Sequence, residues 1–220
     1  MRAVLILIVS LAFLAGCGGS DNGGETTESV ATGVDECASV EAPAARDPEP
    51  SEAPTEPLDA SKTYTLTFDT SCGSFTVTLD QELAPTTAAS LVALANAGYF
   101  DDTIFHRVVP GFVIQGGDPT QTGGGGPGYS TVDPPPADAA AYTKGVVAMA
   151  KSGVEAPGTG GSQFFVVTSE TAADVLTPDY SIVGEVTEGM DTVERIDALG
   201  VGDGPPSQPV VVNSVTVGES

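Results

Sequence analysis

Residues 104–118 read Ile-Phe-His-Arg-Val-Val-Pro-Gly-Phe-Val-Ile-Gln-Gly-Gly-Asp, and the reading of this run decides the fold. Two short apolar segments, 104–109 and 111–115, flank Pro110-Gly111, a dipeptide that marks a turn between strands. The run holds the only histidine of the chain, His106, and one of its seven basic residues, Arg107. A guanidinium is permanently charged and presents its donors in a rigid fork. Here it stands beside apolar strand residues, an aromatic (Phe112) and an amide (Gln115), in a chain with 30 acidic residues.

The same strand grammar extends on both sides. Residues 63–69 and 74–80 alternate polar and apolar, as half-buried strands do. Thr70-Ser71-Cys72-Gly73 lies between them, which predicts a hairpin. A helix is predicted over 85–97, with Pro85 in its first turn, Gly98 just past its end, and Ala88, Leu91, Leu94 and Ala95 on one face. Residues 145–149, 163–168, 181–186 and 210–217 read as further strands. A second helix spans about 188–199, with Met190, Val193, Ile196 and Leu199 on one side. Residues 119–138 read as loop. Their run Gly123–Gly126 lacks the strand–loop–helix order and the Gly-Lys-Ser/Thr of a phosphate cradle, which excludes nucleotide binding. Short strands with turns between them and two separated helices predict a mostly β protein, barrel or sandwich.

The ends of the chain differ from this pattern. Arg2, the apolar run Ala3–Ala15 and the small residues after it predict a signal peptide over 1–16. The apolar run is too short for a bilayer span, which takes about 20 residues. Leu14-Ala15-Gly16-Cys17 resembles a bacterial lipobox, which implies cleavage before Cys17 and its lipidation. Residues 17–61 then form an acidic linker rich in Pro, Gly, Ser and Thr. From residue 18 on it carries 11 acidic residues against Arg46 alone. So little apolar surface predicts disorder. Residues 62–220 are enough for one core. They carry 19 acidic and 5 basic residues, a net charge of −14 within −23 for the whole chain. That field makes nucleic acid and anionic lipid headgroups poor partners. Of three cysteines, Cys17 is the lipidation candidate. Cys37 and Cys72 either pair in an oxidising compartment or stand as a free thiol and a small turn residue. One histidine and no Cys/His spacing leave no metal site in prospect.

The motifs Phe105-His106-Arg107, Pro110-Gly111-Phe112, Gln115-Gly116-Gly117-Asp118, Met149-Ala150 and Gly161-Ser162-Gln163-Phe164-Phe165 stand in the order and spacing of cyclophilin-type peptidyl-prolyl isomerases. The resemblance covers 63–217. It implies a closed eight-stranded antiparallel β-barrel capped by two α-helices, and rotation about X–Pro bonds with no cofactor. It implies Arg107, Phe112 and Gln115 as the catalytic set, with Gln115 bonding substrate or orienting Arg107. Val113, Phe165, Leu176 and Tyr180 would wall the proline slot, and Ala150 and Lys151 would pair with the peptide main chain. His106 is read as structural, since rotation needs no proton transfer and it adjoins Arg107 on a strand. Three positions depart from the family pattern: Val113 stands for a methionine, Tyr180 for a histidine and Val175 for the tryptophan that in many members meets cyclosporin, so weak cyclosporin affinity is expected. The resulting expectation is a lipid-anchored, monomeric enzyme on the outer face of a bacterial membrane. It would act on Pro-containing unfolded or extended polypeptides during the folding of exported proteins. The rival is a non-catalytic module that binds such peptides.

Overall fold

The computed structural model describes residues 37–47 and 51–220. The signal peptide expected over residues 1–16 and the expected lipidation site, Cys17, lie outside the described residues.

Among the described residues, eleven strands and two α-helices build the fold. β1 (Tyr64–Thr70) and β2 (Gly73–Leu79) form the expected hairpin. Its alternation buries Leu66, Phe68, Phe75 and Val77 on one face, and the rings of Phe68 and Phe75 stack across the ladder at 4.8 Å. α1 (Pro85–Asn96) starts on Pro85, whose missing N–H costs nothing at a helix start. No residue next to the helix caps it. Instead Asp133 reaches in, accepting from the backbone N–H of Thr86 (3.2 Å) and Thr87 (2.7 Å) and from the Thr87 hydroxyl. A carboxylate there satisfies orphan donors and faces the positive end of the helix. Part of the expected loop 119–138 therefore has a structural task.

β3 (Thr103–Ile104), β4 (Arg107–Val109) and β5 (Val113–Gly116) follow. β6 (Thr131–Val132) and β8 (Thr159–Gly160) form a two-stranded sheet of their own. β7 (Val146–Met149), β9 (Phe164–Val167), β10 (Ile182–Glu188), α2 (Met190–Asp197) and β11 (Val211–Glu219) complete the order. The main sheet runs β3-β11-β1-β2-β10-β7-β9-β5-β4, every pair antiparallel.

This sheet bears out the mostly β fold with two helices and refines its shape. It is a curled half-barrel of nine strands, whose edge strands β3 and β4 follow one another in the chain through Phe105-His106 without pairing in a ladder. The predicted strand 104–109 breaks at Phe105-His106, and its two halves pair at opposite edges, β3 with β11 and β4 with β5.

The described part of the acidic segment makes contacts of its own. Disorder was expected over 17–61, but the described part lies along the domain. Ala38 N–H donates to Ser71 O (2.7 Å) and Arg46 N–H to Pro119 O (3.0 Å). The Arg46 guanidinium donates to Tyr99 O (2.7 Å) and Asp101 O (2.9 Å). A disulfide joins Cys37 to Cys72. Composition measures how much apolar surface a segment can bury. Here a covalent bond and an arginine feeding backbone carbonyls hold it instead.

Candidate functional site

The apolar interior divides into two clusters, and three strands contribute to both. In β9, Phe164 and Val166 join the main core, while Phe165 and Val167 join the second cluster. β7 does the same with Val147 and Met149 against Val146 and Ala148, and β5 with Ile114 against Val113. A strand sends successive side chains to opposite faces, so the second cluster lies on the other face of the sheet from the main core. Phe112, Ala150, Leu176 and Tyr180 pack against this second cluster.

Register then assembles the site. Arg107 pairs with Gln115, Gln115 with Phe165, and Phe165 with Ala148. Four neighbouring strands thus place a cation, an amide, an aromatic ring and a small residue in one row. A groove of about 240 Å³ opens over this row. It is lined by Arg107, Phe112, Val113, Gln115, Ala150, Lys151, Phe165, Leu176 and Tyr180, together with the exposed Val175. All nine catalytic and substrate-binding candidates therefore meet in one place.

Polar contacts set the orientation. Arg107 Nη1 donates to Gln115 Oε1 (3.2 Å), Gln115 Nε2 to Gln163 Oε1 (3.1 Å), and Gln163 Nε2 to Gly125 O (2.9 Å). Because arginine only donates, it decides which end of each amide faces which way along the chain. Asp118 organises the glycine loop by accepting from the backbone N–H of Thr120, Thr122, Gly123 and Gly125. Gly117 has φ 86°, and a Cβ there would run into the Ser162 carbonyl, so the strand exit needs glycine. What results is an apolar slot with a fixed positive fork at its edge, suited to a ring and a neutral amide.

The sequence model for the cyclophilin-type peptidyl-prolyl cis-trans isomerases matches residues 65–217. The chain belongs to this cyclophilin family. The cyclophilin is 38% identical over 172 residues to the probable peptidyl-prolyl cis-trans isomerase A of Mycobacterium leprae, covering 70% of this chain and 91% of that one. It is 42% identical over 134 residues to peptidyl-prolyl cis-trans isomerase-like 1 of Aspergillus oryzae, covering 60% and 80%. Among solved structures, a cyclophilin-type isomerase of Cryptosporidium parvum superposes with a TM-score of 0.63 at 29% identity, covering 71% of this chain and 98% of that one. The same protein solved in the presence of the dipeptide Ala-Pro gives 0.62 at 28% identity.

Several features of this cyclophilin escape sequence reasoning. Arg107 donates through Nε and Nη2 to the two carboxylate oxygens of Asp203, at 2.6 and 3.2 Å. Nothing in the sequence links two residues 96 positions apart. Tyr142 is fully buried, and its hydroxyl donates to Tyr180 O (2.8 Å) and accepts from Tyr180 N–H (3.0 Å), clamping the backbone of a wall residue. Burial pushes the Tyr142 phenol up to about 12. Gln163 lies inside a quoted motif, which was the one available signal for it. Lys151 Nζ lies over the Tyr180 ring, 5.6 Å from its centroid, and donates to Ser152 O and Glu155 O. His106 does not line the groove. It is buried against Gly123, and among the described residues neither ring nitrogen meets a partner in hydrogen-bond geometry.

Proposed function

We propose that this cyclophilin catalyses cis–trans rotation about X–Pro peptide bonds, with Arg107 as the residue that favours the twisted amide. The observation that carries this reading is the groove, where Arg107 and Gln115 face a slot walled by Phe112, Phe165 and Tyr180. Rotation must overcome about 18–20 kcal/mol, because the nitrogen lone pair is delocalised into the carbonyl. Twisting the bond localises that pair on nitrogen, where a guanidinium N–H can donate to it. A donor that meets charge only in the twisted state lowers the barrier without holding the planar forms more tightly. No bond breaks and no proton changes hands, so no further acid or base is needed. The Ala-Pro dipeptide present with the Cryptosporidium relative supports Pro-containing peptides as the substrate class.

The finer reading is a lipid-anchored monomer outside the cytoplasmic membrane that assists the folding of exported proteins. It rests on the lipobox-like Leu14-Ala15-Gly16-Cys17 and on a disulfide, which persists in oxidising compartments. Among the described residues no helix is long and apolar enough to cross a membrane. A deletion strain in which exported Pro-containing proteins fold at unchanged rates would count against that role.

The catalytic claim is tested by a protease-coupled assay of an X–Pro peptide. Arg107→Ala is expected to lower kcat/KM about 100- to 1000-fold, the usual scale for loss of one such donor. Equal rates for the two proteins would favour a module that binds without turnover. Cyclosporin is expected to inhibit weakly in the same assay, since Val175 presents a short side chain, 71% exposed, at the groove rim. Nanomolar inhibition would contradict this.

A further inference from the structure

We infer that Asp203 is a positioning residue for catalysis, holding the Arg107 guanidinium in the orientation that leaves two N–H groups free for the substrate amide. The inference rests on the isomerase reading above. A guanidinium has five N–H donors. Nε and one N–H of Nη2 go to Asp203, and one N–H of Nη1 goes to Gln115. One N–H on each of Nη1 and Nη2 remains, at the groove that Arg107 lines. The carboxylate binds the fork from its Nε side, which fixes the guanidinium plane as well as its position. The other ion pairs among the described residues, Lys62–Glu219, Lys144–Glu194 and Arg195–Asp191, are each joined by one hydrogen bond.

The loop that carries Asp203 is itself held. Ser207 N–H donates to Leu199 O (2.8 Å) and closes its base, and Val108 N–H donates to Gly204 O (2.8 Å). The residue after Asp203 is thus pinned to the strand residue after Arg107. Both ends of the ion pair are set by the same backbone contact. Asp203 stays ionised through neutral pH, because its hydrogen bond and charge interaction with Arg107 hold its pKa below the ordinary aspartate value. Without it, a long side chain 32% exposed would keep only one neutral contact, at 3.2 Å to Gln115. The substrate would then have to order it, and lost pre-orientation falls on turnover.

The test is steady-state isomerase kinetics on the full chain for wild type, Asp203→Ala, Asp203→Asn, Arg107→Ala and the Arg107→Ala/Asp203→Ala pair. Asp203→Ala is expected to lower kcat about tenfold with KM near wild type. Asp203→Asn keeps one acceptor for Nε and is expected to fall between the two. The second substitution should change nothing once Arg107 is gone. The melting temperature should stay unchanged, as befits an exposed pair, and the Arg107 Nε–H resonance should broaden or vanish in Asp203→Ala. A rate within twofold of wild type, a rate above it, a loss confined to KM, or an equal loss in the Arg107→Ala background would each overturn the inference. Equal rates for wild type and Arg107→Ala would instead sink the isomerase reading itself, and the inference with it.

Discussion

Two side chains show how burial, rather than residue type, assigns a task. His106 adjoins Arg107 in sequence but is buried away from the groove, and burial holds its pKa below the usual histidine value. Asp118 pulls the other way and Arg107 reinforces the shift. The folded state therefore favours neutral imidazole, while the unfolded chain titrates near 6.5. Stability from this source is fully present above about pH 6.5 and is lost as pH falls toward the lower folded value. His106→Leu is expected to remove that slope, so denaturant midpoints at pH 7.5 and 5.5 should lie closer together than in wild type. An unchanged slope would assign the pH dependence elsewhere. Tyr142 is the second case. Tyr142→Phe leaves the Tyr180 N–H and carbonyl without their partner. It is expected to cost about 1–3 kcal/mol and to raise KM as the slot wall loosens. Urea denaturation and peptide kinetics check the two effects, and an unmoved KM would remove Tyr142 from the site.

At the level of elements, the strand is the unit that makes both core and site. Phe164 and Phe165 are neighbours in β9, yet one packs in the main core and the other lines the groove. The two-residue period of the strand makes this separation. Phe164→Leu is expected to lower stability by roughly 1–3 kcal/mol with KM unchanged. Phe165→Leu should raise KM while the protein stays folded. The reverse pattern in peptide kinetics and denaturation would contradict the division of faces. The alternation itself was legible in the sequence, as were the hairpin of 63–80 and both helices to within a few residues. β6 and β8 were not, since two-residue strands carry too little pattern to be seen. The break of strand 104–109 was also hidden, because both halves are apolar and only their different partners separate them.

For the whole molecule, the described part of the acidic segment is a strap. Its disulfide closes a loop between residues 35 apart in sequence, and Arg46 fastens it again. Restricting the unfolded chain over such a loop is worth roughly 3–4 kcal/mol. Cys37→Ala/Cys72→Ala is therefore expected to lower the unfolding free energy by that order, with kcat/KM near wild type because the disulfide lies away from the groove. Equilibrium denaturation with and without reductant measures it, and an unchanged midpoint would mean that hydrogen bonds alone hold the strap.

The sequence by itself determined the mostly β class and the two helices, because alternation and turn chemistry are local properties, while the nine groove residues followed from what the family resemblance implies. Tertiary structure alone decided that the sheet is a half-barrel of nine strands, that the acidic strap is fastened down, and that Asp203 and Tyr142 support Arg107 and Tyr180. Those facts depend on strand register and loop closure, which bring together side chains with no local relation in the chain. A polar contact across 96 residues leaves no periodic trace.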